Sequence, residues 1–370
     1  MKSKKELVPS YIRHLEIYQA GKPIEELARE KNLSRISKLG SNENPLGPSP
    51  LALKELNTGL KSLHRYPDMH GYQLKSELSK LFKLKKENII LGNGSEGIMA
   101  CIVRAFLAPD EEVLTSERTF IGFMVLARSV GAKLKTIPLS ADFKYDIPRL
   151  VENITEKTKI IYIANPNNPT GTYISKQEFD YFMSKVPEHI LVILDEAYFE
   201  FVHTQKDYPD SMDYRYDNVI TLRTFSKAYG LSGIRIGYGF AHEDLITNIA
   251  KVKLPFEPNS LAQLAALGAL HDADHLAVTL QNNQDRYQET IHLLTQMGIG
   301  FIPSVANFIT FDMKSAENAK RLHEHLLNCG VIVRPLDKNE MPEFLRVSLG
   351  TKEEMQHFSE ALRTGLIKKF

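Results

Sequence analysis

Residues 224–235 read Thr-Phe-Ser-Lys-Ala-Tyr-Gly-Leu-Ser-Gly-Ile-Arg, and apolar segments flank them at Val219–Thr224 and Ile234–Phe240. The flanking segments predict two strands joined by a loop that carries Lys227. A lysine that follows a serine is usually a solvated surface charge. Here the apolar, glycine-rich setting and the nearby Arg235 favour a functional lysine, because glycines let a backbone turn tightly and approach a bound ligand.

Two earlier motifs supply complementary groups: Asn165-Pro166-Asn167-Asn168-Pro169-Thr170-Gly171 and Asp195-Glu196-Ala197-Tyr198. Asp195 closes the apolar run Ile190–Leu194, which predicts a buried central strand. The C-terminal end of such a strand opens into the crevice where α/β sheets bind ligands. Each motif also has a plainer interpretation, since the first is a good generic turn, Asp195 could cap a helix and Tyr198 could be a core residue.

Together these residues offer an amine, a carboxylate, an amide, a phenol and a guanidinium, the groups needed to hold and use pyridoxal 5'-phosphate (PLP). A lysine amine forms a Schiff base with the PLP aldehyde. The pyridine ring accepts electrons well only while its nitrogen is protonated, so a carboxylate such as Asp195 must face it. Opposite charges about 4 Å apart attract by roughly 4 kcal/mol at an effective dielectric near ~20, which is enough to raise the pKa of the ring nitrogen.

A third motif, Gly92-Asn93-Gly94-Ser95-Glu96-Gly97, follows the apolar Ile89–Leu91 and matches the Gly-x-Gly-x-x-Gly spacing of dinucleotide-binding proteins, with Glu117 about twenty residues beyond. This fingerprint alone is a weak signal, because the phosphate of any cofactor can use the same strand, turn and helix start. A nicotinamide cofactor would also leave Lys227 and Asp195 without roles.

From about residue 7 to the C-terminus, the chain resembles the fold-type I PLP-dependent aminotransferases of class I/II, and in its details the histidinol-phosphate aminotransferases. The motifs above carry the wider resemblance. Further elements narrow it: Asn44-Pro45-Leu46-Gly47, Arg65-Tyr66-Pro67-Asp68, Val333-Arg334-Pro335 and Leu345-Arg346-Val347. Many relatives read Gly-Ser-Asp-Glu where this chain has Gly94-Ser95-Glu96-Gly97, a change of little consequence because backbone donors bind the phosphate.

The resemblance implies a role in cofactor binding for each matching residue. Lys227 would form the Schiff base and move the proton between the substrate Cα and the cofactor, Asp195 would pair with the pyridinium, and Tyr198 would hold the phenolic oxygen together with Asn168. Phe120 would stack on the ring, although Phe123 is close enough in sequence to leave this choice open. The phosphate would contact a helix start and nearby side chains, namely Gly94, Ser95, Glu96, Thr224, Ser226 and Arg235.

For the substrates, the resemblance implies that Arg346 grips their anionic end, with Arg334, Tyr18 and Asn44 as auxiliary contacts. Arg346 also fits a half-buried strand with one polar face, because it alternates with apolar neighbours. Tyr66 resembles the tyrosine that reaches across a dimer interface to the phosphate site of the partner. A homodimer is therefore implied.

Short apolar strands alternate with amphipathic helices along the chain, which predicts an α/β fold with a mainly parallel central sheet between helices and a smaller C-terminal α/β domain. The expected divisions are an N-terminal arm that packs on the small domain (1–40), a large PLP-binding domain (41–255) and the small domain (256–370). Predicted strands lie at 89–91, 113–115, 133–138, 159–164, 190–194, 219–224, 234–240, 307–311, 331–334 and 344–348, and predicted helices at 95–107, 175–185, 260–270, 316–327 and 352–366. The site would lie in the cleft between the two domains.

Composition agrees with this class of protein. The 370 residues, 43% of them hydrophobic, can fill the cores of about two domains. A net charge of +1 with interspersed charges favours neither nucleic acid nor an anionic membrane. No apolar segment is long enough to span a bilayer, and no secretory signal is recognisable. Two separated cysteines, Cys101 and Cys329, predict neither disulfides nor a metal site, so a cytoplasmic location is expected.

The activity that the resemblance implies is transfer of an amino group between L-histidinol phosphate and 2-oxoglutarate, giving imidazole acetol phosphate and L-glutamate, in L-histidine biosynthesis. Three alternatives stay open at this point. An aromatic amino-acid aminotransferase would keep every cofactor residue, and a PLP-dependent decarboxylase of amino-acid phosphates would share the same framework. A non-catalytic binding module is the third alternative.

Overall fold

The computed structural model describes residues 7–17 and 21–367, whose strands form one large sheet and two smaller ones. The strands of these residues are β1 Ser37–Lys38, β2 Ile89–Gly92, β3 Glu112–Ser116, β4 Lys133–Ile137, β5 Thr158–Ala164, β6 Leu191–Asp195, β7 Val219–Thr224, β8 Gly237–Phe240, β9 Gly300–Ile302, β10 Phe308–Asp312, β11 Val331–Ile332, β12 Arg334–Pro335 and β13 Phe344–Ser348. The α-helices are α1 Ser10–Arg13, α2 Ile24–Lys31, α3 Pro50–Gly59, α4 Tyr72–Phe82, α5 Gly94–Phe106, α6 Ile121–Ser129, α7 Ile147–Glu152, α8 Lys176–Met183, α9 Phe199–Val202, α10 Glu243–Val252, α11 Ser260–Leu270, α12 Ala273–Gln296, α13 Ala316–Asn328 and α14 Lys352–Ile367. None of these helices is long and apolar enough to cross a membrane.

The large sheet has the strand order β2-β8-β7-β6-β5-β3-β4. The pairs from β7 to β4 are parallel, whereas β8 is antiparallel to both of its neighbours. Alternate residues of β5 enter different cores: Ile160 and Tyr162 pack with one cluster, and Ile161 and Ile163 pack with the other. A strand buried on both faces must be apolar along its whole length, which explains the continuous apolar runs. The predicted mainly parallel sheet between helices is confirmed.

A second sheet, of order β12-β13-β10-β9, is antiparallel. Its apolar face packs against α12, α13 and α14 in a core that includes Leu294, Leu322 and Phe358. Helix α12 has 24 residues and was not predicted. The last two predicted helices begin at the expected residues, Ala316 and Lys352.

The predicted strand 331–334 is wrong in one respect, because this segment forms two strands in two sheets. β11 pairs in parallel with β1 through Ser37↔Val331, whereas β12 pairs with β13 through Arg334↔Arg346. Apolar periodicity within the segment cannot reveal this division, since the partner of β11 comes from a distant part of the chain.

The predicted strand 234–240 also begins later than expected, at Gly237. Ser232–Ile234 forms a turn of 3-10 helix instead, and Arg235 has a φ of 60°, which interrupts an extended backbone.

The N-terminal segment contacts residues around the second sheet and residues around the large sheet. Near the second sheet, the Arg35 guanidinium lies 3.2 Å from the Glu360 carboxylate, and Ser37 Oγ lies 2.9 Å from His357 Nδ1. Near the large sheet, α1 packs against α6, so that Tyr11 lies beside Gly131. The domain limits proposed from the sequence stay a prediction.

Candidate active site

A cavity of about 380 Å³ opens where β6 and β7 end, at the carboxyl edge of the large sheet. Ten of the residues that the sequence assigned to cofactor binding line it: Ser95, Glu96, Phe120, Asn168, Asp195, Tyr198, Thr224, Ser226, Lys227 and Arg235. They come from six separate parts of the chain. Parallel strands with their C-terminal ends at one edge explain this convergence, because each strand delivers the loop that follows it to the same crevice.

Asp195 is the last residue of β6 and is buried, with 5% of its surface exposed. Burial raises the pKa of its carboxyl to about 6, while hydrogen bonds from Tyr162 and the Ala197 backbone and the charge of Lys227 act in the opposite direction. Tyr162 donates to Oδ2 over 2.7 Å, and the Ala197 N–H donates to Oδ1 over 3.2 Å. Asp195 is therefore held in a fixed orientation and is mainly anionic at neutral pH.

Lys227 follows β7 in the loop that opens the sequence analysis, and its side chain is half-buried at the cavity wall. Burial lowers the pKa of its amine to about 8, and the positive charge of Arg346 adds to this effect, whereas Glu43 opposes it. The amine lies 5.7 Å from the centre of the Tyr198 ring. A lysine with a lowered pKa is neutral in a useful fraction of molecules, and the neutral amine is the nucleophile.

The other end of the cavity is suited to a phosphate. Helix α5 begins at Gly94, which has a φ of 74°, and Ser95 and Glu96 follow in its first turn, where backbone N–H groups have no partner within the helix. The Arg235 guanidinium donates to Ser226 Oγ over 3.2 Å. A Cβ on Gly94 would lie 2.6 Å from Arg235 Nη2, so only glycine lets the guanidinium approach this turn.

The topology around this turn contradicts the dinucleotide-binding alternative. β2 lies at the edge of the large sheet and pairs with β8 in antiparallel orientation. In dinucleotide-binding proteins, the glycine motif follows a strand at the centre of a parallel sheet. Gly237 of β8 allows a close approach between two backbones, since a Cβ on Gly237 would lie 2.4 Å from the backbone nitrogen of Ser95.

The structure separates the two candidate phenylalanines. Phe120 lines the cavity, whereas Phe123 is fully buried and stacks on Tyr162, with ring centroids 4.2 Å apart and planes 10° apart. Only Phe120 can therefore contact a ligand in the cavity without rearrangement of the core.

Arg346 lies on β13 and is 8% exposed. Its Nη1 donates to Asn168 Oδ1, and its Nη2 donates to the Gly40 carbonyl over 3.1 Å. Arg334 lies opposite Arg346 in the strand register, so both side chains leave the same face of the sheet. The second sheet thus presents the Arg346 guanidinium to the side of the cavity where Asn168 lies.

Asn44, Tyr66 and Tyr18 complete the set of residues predicted from the sequence. The Asn44 amide donates to the Ala228 carbonyl over 2.9 Å and to Thr279 Oγ1 over 3.1 Å, which favours a role in holding the lysine loop over direct contact with a substrate. Tyr66 is 81% exposed and stacks on Phe256, with centroids 4.2 Å apart. Tyr18 lies outside the described residues.

Sequence reasoning missed two residues that contact the predicted set. Tyr162 reaches Asp195 from the neighbouring strand, and Asn42 donates to the Tyr198 hydroxyl over 2.8 Å. Tyr162 stands within an apolar strand, where a tyrosine is typical of the core. Asn42 opens the segment Asn42-Glu43-Asn44-Pro45-Leu46-Gly47, which carries part of the resemblance, but no role for Asn42 was predicted from it.

The residues around the cavity fit PLP. A half-buried amine suits the aldehyde, a buried carboxylate suits the ring nitrogen, a phenol and an amide suit the phenolic oxygen, and a helix start with an arginine suits the phosphate. Among the described residues, no group of three or more potential ligands is arranged to hold a metal ion.

Comparison with known proteins agrees with this geometry. Residues 34–362 match the model of the family "Aminotransferase class I and II". The chain is 42% identical over 363 residues to histidinol-phosphate aminotransferase 1 of Nitrosococcus oceani, covering 98% of this chain and 97% of the relative, and 42% identical over 360 residues to histidinol-phosphate aminotransferase 2 of Hydrogenovibrio crunogenus, covering 96% and 95%.

Among solved structures, the histidinol-phosphate aminotransferase of Sinorhizobium meliloti in complex with PLP superposes with a TM-score of 0.88 at 26% identity, covering 98% of both chains. The family match extends over most of the chain, and the relatives align over nearly their whole length. The chain therefore belongs to the class I and II aminotransferases and, within them, to the histidinol-phosphate aminotransferases.

Proposed function

We propose that this protein uses PLP to transfer the amino group of L-histidinol phosphate to 2-oxoglutarate, giving imidazole acetol phosphate and L-glutamate in L-histidine biosynthesis. The observation that carries the proposal is the position of Arg346. Its charge acts on the Lys227 amine and its guanidinium contacts Asn168, so an anion bound there would lie beside the reacting amine. The names of the similar proteins support the same substrate.

When bound, PLP supplies an aldehyde that combines with amines and a ring that accepts electrons from the breaking Cα–H bond. Asp195 would hold the proton on the ring nitrogen, because an anionic carboxylate stabilises the cationic ring. Ser95, Glu96, Thr224, Ser226 and Arg235 would hold the phosphate, and Phe120 would cover one face of the ring. Tyr198 and Asn168 would donate to the phenolic oxygen.

Lys227 would carry the proton. Its amine is neutral above a pH of about 8 and partly neutral below it, so it can accept a proton from the substrate Cα. The nearby Tyr198 ring and the buried neighbours Ser226 and Ala228 restrict its motion. A positioned base of matched pKa typically contributes a factor of about 10² to 10⁴ to the rate.

Arg346 would bind the anionic end of both substrates. Histidinol phosphate carries a phosphate and no α-carboxylate, whereas 2-oxoglutarate and glutamate carry carboxylates. The planar guanidinium binds either group in a bidentate manner, which a lysine could not do. Arg334, opposite Arg346 in the sheet, would add a second positive charge for the doubly charged phosphate.

We also propose that the enzyme is a homodimer in which Tyr66 completes the phosphate site of its partner. Tyr66 lies on a surface with other exposed apolar side chains of the same and a nearby segment, which is typical of an interface. These side chains are Leu60, Leu63, Met69, Tyr72, Leu254 and Phe256. The cytoplasmic location stays a prediction.

A side-by-side assay with histidinol phosphate, phenylalanine and tyrosine as amino donors tests the substrate. We expect the highest kcat/KM with histidinol phosphate; a clear preference for the aromatic amino acids would contradict the proposal. Measurement of carbon dioxide and of the keto product separates transamination from decarboxylation, since release of carbon dioxide without a ketone would support a decarboxylase.

The shared site can be tested by mixing two inactive variants, Tyr66→Ala and Lys227→Ala. One site of a mixed dimer would contain both native residues, so activity should return to about a quarter of the wild-type value after subunit exchange, because half of the dimers are mixed and each has one intact site of two. No recovery in mixtures that have demonstrably exchanged subunits would show that Tyr66 does not act across the interface.

A further inference from the structure

Asn42 is buried between the two sheets, with 1% of its surface exposed, and its Nδ2 donates to the Tyr198 hydroxyl over 2.8 Å. We propose that Asn42 is a positioning residue, which makes the Tyr198 hydroxyl a donor toward the cavity, and that Ser348 holds Asn42 in the orientation this requires. The inference rests on the function proposed above, in which the Tyr198 hydroxyl contacts the cofactor.

The Asn42 amide turns its oxygen toward Ser348 and its NH₂ group toward Tyr198. A side-chain amide can present either its oxygen or its NH₂ group, so its orientation follows from its partners. Ser348 Oγ accepts the backbone N–H of Asn42 over 2.8 Å and lies 3.0 Å from Asn42 Oδ1. Only a donated hydrogen can join two oxygens, so the serine hydroxyl donates to Oδ1. The NH₂ group of Asn42 therefore faces Tyr198.

This arrangement fixes the direction of the hydrogen bond at Tyr198. A phenol hydroxyl carries one hydrogen, and its oxygen can accept another. Because the oxygen accepts from Asn42, the hydrogen is not used in that bond and is given to a different acceptor. Tyr198 lines the cavity, where the phenolic oxygen of the cofactor would be such an acceptor. A donor there stabilises the negatively charged form of that oxygen.

The same contacts connect Tyr198 to the substrate-binding strand. Ser348 lies two positions after Arg346 on β13, so both side chains leave the same face of that strand. The Gly40 carbonyl, two residues before Asn42, accepts from Arg346 Nη2 over 3.1 Å. The second sheet thus sets the position of Asn42, and Asn42 in turn sets the hydroxyl of a residue that follows the large sheet.

The test compares how the visible absorption of bound PLP changes with pH in variants of the holoenzyme. Asn42→Gly removes the amide and keeps the backbone conformation, since the φ of 54° at this position suits glycine. We expect the pH midpoint of the absorption change to be higher in Asn42→Gly than in the wild type, as in Tyr198→Phe. PLP dissociation from the holoenzyme should become roughly 3- to 10-fold more favourable. Asn42→Asp should shift the midpoint at least as far as Tyr198→Phe, because a carboxylate accepts the tyrosine hydrogen and adds a negative charge.

Other charged groups face the same cavity, namely Lys227, Asp195, Glu96 and Arg235, while Arg346 and Glu43 act on the lysine. Asn42→Gly alters none of them, so a shift in that variant arises from the lost amide. The double variant Asn42→Gly/Tyr198→Phe should have the midpoint of Tyr198→Phe alone. A further shift in the double variant would mean that Asn42 acts independently of Tyr198, which overturns the proposal.

Asn218→Gly is a matched control, because its amide donates to the Ile190 carbonyl over 2.9 Å and lines no part of the cavity. If Asn42→Gly fails to fold in thermal unfolding of the apoprotein, Ser348→Ala is the second variant, with a shift expected in the same direction. If Tyr198→Phe shifts the midpoint but the folded Asn42→Gly or Ser348→Ala variant does not, the inference is overturned. An unchanged midpoint in Tyr198→Phe itself instead removes the proposed role of Tyr198.

Discussion

Tyr162 donates its hydroxyl hydrogen to Oδ2 of Asp195 over 2.7 Å, between neighbouring strands of the large sheet. The tyrosine is fully buried and its ring is fixed by stacking on Phe123. The hydrogen bond therefore keeps one carboxylate oxygen in place and stabilises the anion that the ring nitrogen of the cofactor requires.

Removal of this hydroxyl in Tyr162→Phe should make PLP binding more sensitive to acid. Tyr162 lowers the pKa of Asp195, which burial raises to about 6, so its loss moves that pKa further up. The carboxylate is lost as pH falls through its pKa, and the decline in PLP affinity of the apoprotein should begin at higher pH than in the wild type. Tyr145→Phe is the control, because the Tyr145 hydroxyl bonds to Thr119. Equal pH profiles for Tyr162→Phe and the wild type would contradict this role.

Lys227→Ala should abolish turnover and the visible absorption that PLP acquires when it is bound to an amine of the protein. In the wild type, the rate at which PLP combines with the apoprotein should rise with pH up to about 8, because the pKa of the Lys227 amine is lowered to that value and the neutral form reacts. Stopped-flow absorbance measures both. Retention of the absorption band in the variant would place the reactive amine elsewhere.

Arg346→Ala should lower kcat/KM about 10- to 100-fold with both histidinol phosphate and glutamate, the loss expected for one charged hydrogen-bonded contact of roughly 1.5–3 kcal/mol. It should also raise the pKa of Lys227, since the charge of Arg346 lowers it. Arg346→Lys separates the two effects, because it keeps the charge and loses the bidentate geometry. The exposed Arg321, which pairs with Glu317, is the control. An unchanged kcat/KM with both substrates would remove Arg346 from the site.

Glu200→Gln should stabilise the apoprotein at pH 8. Glu200 is buried, which raises the pKa of its carboxyl from 4.5 to about 7. Between these values the folded state binds the proton more tightly than the unfolded state, so the free energy of unfolding falls as pH rises from about 4.5 through 7. The glutamine cannot ionise and escapes this loss, which amounts to at most about 3 kcal/mol.

Urea unfolding at pH 5 and pH 8 measures the difference. From pH 5 to pH 8 the free energy of unfolding of Glu200→Gln should rise relative to that of the wild type, whereas that of the exposed control Glu156→Gln should follow the wild type. A gain no larger than that of the control would show that Glu200 ionises without cost in the folded protein. Glu196 and Asp195 also have raised pKa values and contribute in the same direction in both proteins, so they cancel in the comparison.

The main elements of the large sheet could be predicted from the sequence because its parallel strands are buried on both faces. Val219–Thr224 was predicted with its observed limits, as was Phe344–Ser348 of the second sheet. Helix α12 was missed because most of its 24 residues are polar, which leaves a weak apolar stripe. The division of the segment 331–335 between two sheets depends on strand partners that local periodicity does not encode.

The sequence by itself determined the set of groups that converge in the cavity, since each motif follows a strand and parallel strands end at one edge. Only the tertiary structure decided how these groups are oriented. The Tyr162–Asp195 bond, the Ser348–Asn42–Tyr198 chain and the exposure of Phe120 in place of Phe123 each join segments distant in the chain. Such contacts arise from the pairing of strands and the packing of separate segments, because a hydrogen bond needs two atoms within about 3 Å and no local pattern specifies that distance.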